Sequence, residues 1–181
     1  MYFFTADTHF RDPEILMGIP RPFKSVDHMD SVMIKRFNER VGPDDTTFIL
    51  GDFFHKVSGG TKPEEILAQL NGQKILIRGN HDKNNGVRTI IKHMTIEYFG
   101  QRILLIHDPK DAYDLMVKDT FDFVFHGHVH MNWQFQARMV NVGVDVWNYF
   151  PVSIKTALNM VVASVHIGVA NDKFSLLFSY Y

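Results

Sequence analysis

The sequence predicts a mixed α/β fold around at least one well-buried sheet, on three observations. Short apolar runs bounded by polar or glycine-containing stretches recur along the chain. Between them lie segments whose apolar residues repeat at helical spacing. No repeat or linker-like stretch divides the 181 residues, a length ordinary for one domain with a real core, so a single domain over 1–181 is expected.

The elements follow in order. "YFFTA" reads as a first strand running into Asp7, and the polar, proline-containing stretch to about Phe23 reads as loop. Met29, Val32, Met33, Phe37 and Val41 recur at helical spacing, predicting a helix from Asp27, as N-cap, to Val41, with Gly42-Pro43 to end it. "TTFIL" predicts a buried strand ending at Gly51-Asp52, followed by a loop and a short helix around Pro63 to Leu70. "QKILI" is a third strand. "MTIEYF" and "QRILLIH" flank Gly100 as a hairpin, and "FDFVFHG" and "MVNVGVDV" are further strands. Ile154, Leu158, Val161 and Val162 fit a helix to Ser164, and "KFSLLFSYY" fits a last strand, which either extends a sheet edge or supplies a homodimer contact.

Composition excludes several classes of function. Lys and Arg number 19 against 20 Asp and Glu, a net charge of −1. No global field therefore draws the chain to nucleic acid or an anionic membrane, and any nucleic-acid contact must be local. Cysteine is absent, which removes disulfides, thiolate metal sites and Cys nucleophiles and suits a reducing compartment. The start "MYFFTADTHFRD" lacks the basic and apolar regions of a signal peptide, and no apolar run reaches membrane-spanning length. A soluble, cytoplasmic protein is expected.

The polar clusters carry the functional information. Asp7 and His9 follow the first strand, Asp52 the second, and Asn80-His81-Asp82 the third. His107 closes the "ILLI" strand, and His128 and His130 follow "FVFHG". In α/β sheets ligand sites gather at the carboxyl ends of strands, so segments far apart in sequence can converge in one crevice. Carboxylate and amide oxygens with imidazole nitrogens suit borderline divalent metals such as Zn, Mn, Fe or Ni. Seven candidate ligands exceed the needs of one tetrahedral ion, whereas two ions about 3.5–4 Å apart, bridged by one carboxylate, would use them in displacement at phosphorus. A strand period of two would place Asp7 with His9, and His128 with His130, on one face.

At these residues the sequence acquires a family resemblance. "ADTH", "LGDFF", "RGNHD", "LLIHDP" and "HGHVH", in this order, resemble the five signature boxes of the calcineurin-like metallophosphoesterases, over roughly Tyr2 to Val152. The resemblance is to small bacterial or phage-type members. It implies a two-sheet β-sandwich flanked by helices in four αββα layers, with a dinuclear metal centre at one edge. By that analogy Asp7, His9, Asp52 and His130 hold one ion, and Asp52, Asn80, His107 and His128 hold the other, with Asp52 bridging. The implied activity is hydrolysis of phosphodiester or phosphomonoester bonds by a metal-bridging hydroxide, on a phosphate ester such as a nucleotide.

His81 is the expected general acid, with Asp82 fixing its tautomer. Arg78 either contacts phosphate or lies on the surface, and Asp108 either orients His107 or caps a turn at Pro109. "GDFFHK" departs from many relatives, which carry a charged or small polar residue a few positions after the GD pair. Phe53 and Phe54 are expected in the core, and His55 either reaches substrate or is an ordinary loop histidine. Arg11 and Arg21, in the lip-like stretch "HFRDPEILMGIPRPF", either meet a substrate phosphate or are solvated. Trp147 and Tyr149 either pack in the core or stack on a base. His28, His93, His126 and His166 receive no role beyond packing or surface. The alternative to an enzyme is a non-catalytic metal-binding scaffold, but loss of ligands would mark that, and none is lost.

Overall fold

The computed structural model describes the backbone of residues 1–57 and 59–168, with side chains to residue 162. Two sheets form the centre. In the first, β1 (Tyr2–Thr5), β2 (Thr46–Leu50) and β3 (Gln73–Ile77) run parallel in the order β3-β2-β1, and β9 (Val152–Ser153) closes the other edge antiparallel to β1. In the second, β4 (His93–Tyr98) and β5 (Gln101–Ile106) form the expected hairpin about Gly100. The parallel strands β6 (Phe123–His126) and β8 (Met139–Asn141) follow, and β7 (Phe135–Gln136) lies at the edge.

Strand alternation sorts the side chains into layers. Phe4, Phe48, Leu50 and Ile77 face Ile103, Leu105, Phe123 and Phe125 between the sheets. Phe3 and Ile49, on the outer face of the first sheet, pack under α2 (Val26–Arg40) through Met29, Met33 and Phe37, and under α3 (Pro63–Leu67) through Ile66. Leu104, Ile106 and Val124 pack on the outer face of the second sheet against Ala112 of α4 (Pro109–Met116). The architecture is thus two sheets flanked by helices, as the resemblance implies. Burying aliphatic and aromatic side chains in three such layers, at about 1.5–3 kcal/mol each, supplies the main stabilisation.

Local differences from expectation have identifiable causes. The stretch before Phe23 contains a one-turn helix, α1 (Pro13–Gly18), because the Asp12 carboxylate accepts the N–H of Glu14 and Ile15, and Pro13 is pre-set for the first turn. The next helix is capped by Ser25, whose hydroxyl accepts from His28 N–H, so Asp27 lies inside the first turn rather than at the cap. α3 stops three residues short of Leu70. Asp108 caps α4, so Pro109 opens a helix rather than a turn. "MVNVGVDV" is strand only to Asn141 and then a 3₁₀ turn over Val144–Val146. α5 runs Ile154–Gly168, and the expected strand "KFSLLFSYY" lies outside the described residues. No helix among the described residues is long and apolar enough to cross a membrane.

Candidate metal centre

β1, β2 and β3 are parallel to one another, as are β5 and β6, and their carboxyl ends lie at the same edge of the sandwich. A bridge between Ala6 and Gly143 joins the two sheets there, with Val144 N–H donating to Ala6 carbonyl. Asp7, His9 and His130 bring one donor atom each within 4.8 Å of one another, and Asp52, His107 and His128 do the same. Asn80 is placed against the second cluster, its Oδ1 lying 2.9 Å from His107 Nε2 and 3.1 Å from His128 Nδ1. Asp52 lies between the clusters, its Oδ2 being 3.2 Å from His107 Nε2 and 3.8 Å from His9 Nε2.

Convergence does not come from strand pleating. β1 ends at Thr5 and β6 at His126, before the paired residues begin. Asp7, His9, Asp52, His128 and His130 instead adopt left-handed φ values of 55°, 49°, 51°, 71° and 45°. Such a conformation costs an L-residue roughly 1–2 kcal/mol, and five of them at one edge need compensating bonds. The bonds are present: Asp7 N–H donates to Gly51 carbonyl, His9 N–H to Asp52 carbonyl, and His128 N–H to the Asp7 carboxylate at 2.9 and 3.0 Å.

Outer groups aim the imidazoles. His9 Nδ1 lies 2.9 Å from Asp12, His130 Nδ1 2.8 Å from Asp145, and His107 Nδ1 2.8 Å from the Leu50 carbonyl. Each partner fixes one ring nitrogen and leaves the other for the site. His9 Nε2 is consequently buried with no hydrogen-bond partner among the described residues. A buried, unpartnered imidazole nitrogen beside two buried carboxylates is what a metal ligand requires, so these donors fit divalent ions.

The electrostatics concentrate negative charge. Burial pushes Asp7 above the usual carboxylate range, with Asp52 adding to the rise while His107, His130 and His9 oppose it. Burial would also raise Asp52, yet the His107 bond and charge and the His81 N–H hold it at about 2. His107 is raised to about 9, since Asp52 and Asp7 outweigh the opposing effect of burial. The edge thus draws positive charge inward.

The other predicted residues fall elsewhere. Asp82 is fully buried and accepts N–H bonds from Asp52, Phe53 and Gly79. It therefore ties the ends of β2 and β3 together and does not orient His81. His81 is exposed, its backbone N–H donates to Asp52 Oδ1, and its ring centroid lies 5.5 Å from that of His9. His55 lies on the rim, 3.7 Å from Asp12. The Arg78 backbone pairs with Ile91, and its guanidinium has no partner among the described residues. Arg11 pairs with Asp27 and Asp30, and Phe53 and Phe54 are core. Tyr149 is buried, and Trp147 donates to the Asn141 carbonyl at 2.7 Å. Arg21 is neither solvated nor free for phosphate, because Asp145 holds it in the interior. Asp12, Asp145 and this use of Arg21 were not among the sequence expectations. Asp12 carried a faint signal in its place three residues after His9, whereas nothing local marks Asp145.

Comparison with known proteins fits this geometry. Residues 3–162 match the model of the calcineurin-like phosphoesterase superfamily domain. The chain belongs to that superfamily. An uncharacterized protein of Methanocaldococcus jannaschii is 35% identical over 175 residues, covering 92% of this chain and 94% of the relative. The gene 66 protein of Mycobacterium phage L5 is 26% identical over 80% of this chain and 86% of its own length. A crystal structure of an Aquifex aeolicus protein superposes with a TM-score of 0.75 at 28% identity, covering 88% of this chain and 98% of that one. The superfamily assignment agrees with two ligand clusters built from oxygen and imidazole donors.

Proposed function

We propose that the protein is a metal-dependent phosphoesterase that hydrolyses phosphodiester or phosphomonoester bonds. Asp7, His9, Asp52 and His130 would hold one divalent ion, and Asp52, Asn80, His107 and His128 the other. The observation that carries this reading is the pair of three-donor clusters sharing one sheet edge, with Asp52 between them. Bound divalent ions supply two things there: neutralisation of phosphoryl oxygens and a lowered pKa for coordinated water.

The chain's own groups supply the rest. Asp52 engages His81 N–H through Oδ1, which leaves Oδ2 turned toward His9 and His107. Its low pKa keeps that oxygen ionised throughout the neutral range. Asp12, Asp145 and the Leu50 carbonyl hold the tautomers of His9, His130 and His107. The exposed His81 ring has no hydrogen-bond partner among the described residues and stands against the His9 ring, so it is available to donate a proton to the departing oxygen. Asn80 and His81 are exposed and His128 is part-exposed, which suits an open site for phosphate esters, nucleotide esters among them. With nitrogen and oxygen donors, Mn, Zn, Fe and Ni are the fitting ions.

The test is turnover of bis-p-nitrophenyl phosphate and p-nitrophenyl phosphate by chelator-treated protein, before and after addition of Mn, Zn, Ni or Mg. Hydrolysis restored by a metal is the expected result, and the diester-to-monoester ratio then defines the ester class. Two ions bound per chain without turnover of either ester would overturn the enzymatic reading in favour of a scaffold.

A further inference from the structure

The two clusters are supported unequally, and the difference centres on Arg21. Its side chain is 0% exposed. Nε and Nη2 meet the two carboxylate oxygens of Asp145 at 2.8 and 3.0 Å, Nη2 also donates to the Asp7 carbonyl at 2.7 Å, and Nη1 donates to the Thr8 carbonyl at 3.0 Å. Asp145, itself buried, lies 2.8 Å from His130 Nδ1. One guanidinium thus grips the backbone of Asp7 directly and the imidazole of His130 through one carboxylate. Both residues belong to the same three-donor cluster. The other cluster is held more loosely: His107 Nδ1 meets a neutral backbone carbonyl, Asp82 ties backbone rather than an imidazole, and the part-exposed Asp108, 3.5 Å from His128 Nε2, has no guanidinium partner among the described residues.

We propose that Arg21 is a positioning residue that presets the Asp7–His9–His130 cluster for its ion and leaves the Asp52–His107–His128 cluster untouched. The inference rests on the metallophosphoesterase reading above. Its physical basis is the planar fork: four N–H bonds in fixed directions orient a carboxylate and two carbonyls together, which a lysine ammonium cannot do. Left alone, Asp145 would be a buried carboxylate free to rotate away from His130. Gripped by Arg21 at 2.8 and 3.0 Å, it is held in one orientation with an oxygen 2.8 Å from His130 Nδ1, which fixes the direction of that imidazole.

The test is calorimetric titration of chelator-treated protein with Mn, supported by the visible absorption of the Co form. Wild type is expected to take two ions per chain. In Arg21→Lys one ion should weaken about ten- to a hundredfold, the range for loss of an outer partner, while the other changes less than twofold. The loss should appear in full when Arg21→Lys is combined with His107→Ala, and shrink to the part carried through Asp7 when it is combined with His130→Ala. One set of Co bands should shift and the other stay. If Arg21→Lys does not fold, Asp145→Asn, which keeps the shape and an acceptor for Arg21, carries the same comparison. Equal weakening of both ions, or unchanged binding of both with only a lower melting temperature, would reduce Arg21 to a buried ion pair and overturn the proposal. Absence of metal binding by wild type would instead remove the functional reading on which it rests.

Discussion

His81 and Asp82 are neighbours with opposite surroundings, and that contrast assigns their parts. Asp82 is sealed inside three backbone N–H bonds, so its removal would disturb the ends of two strands. His81 ties only its backbone to the scaffold, the N–H donating to Asp52 and the carbonyl accepting from Asn84 and Asn85, and leaves its ring at the rim. His81→Ala is therefore expected to keep both metals and the melting temperature of wild type and to lose about 10²–10⁴ in kcat on alkyl esters, whose leaving oxygen needs a proton. With p-nitrophenyl esters the loss should be small, so rates across a leaving-group series should depend more steeply on leaving-group pKa in the variant. An unchanged dependence would remove His81 from the chemistry. At this scale the sequence disclosed residues whose position is set by the strand just before them: Asp7, Asp52, Asn80, His107 and His128. Asp145 was hidden because its meaning lies in partners 15 and 124 positions away, His130 and Arg21.

The elements that position the site are strand ends at close approach. Gly51 and Gly79 end β2 and β3 so tightly that a Cβ on Gly79 would fall on the Asp52 carboxylate, and one on Gly51 would meet His107 and the Gly79 backbone. Gly51 also takes a positive φ of 84°, where a side chain is strained. Gly79 has no such constraint, so Gly79→Ala tests crowding alone. It should destabilise the fold by about 1–3 kcal/mol, the cost of forcing atoms into a packed interior, and displace Asp52. Urea unfolding measures the first effect and Mn titration the second. Wild-type affinity for both ions would show that the approach of the two strands does not set the site. The strands were readable because each is a compact apolar run with a polar stop. α1 and α4 were not, since six and eight residues give too few turns for a helical period to show, and their caps, Asp12 and Asp108, begin stretches where proline suggested turns.

Across the whole molecule, the candidate centre is a seam. Asp7, His9, Asp52 and Asn80 follow strands of the first sheet, and His107, His128 and His130 follow strands of the second. Each three-donor cluster draws on both sheets. An ion bound in either one therefore joins the halves of the sandwich at an edge where five left-handed residues store strain. Ions that bind only the folded chain stabilise it by mass action, about 2.7 kcal/mol for a site at a free concentration one hundred times its Kd. For a chain of this size 1 kcal/mol moves the melting temperature by roughly 2–4 °C. Saturating Mn should accordingly raise the midpoint of chelator-treated protein by roughly 5–10 °C per occupied site, read by differential scanning calorimetry. Asp52→Asn withdraws charge from the position between both clusters and should abolish most of that rise together with nearly all turnover. A rise of equal size in Asp52→Asn would mean that the stabilising ion binds elsewhere on the molecule, and the shared-carboxylate arrangement would have to be abandoned.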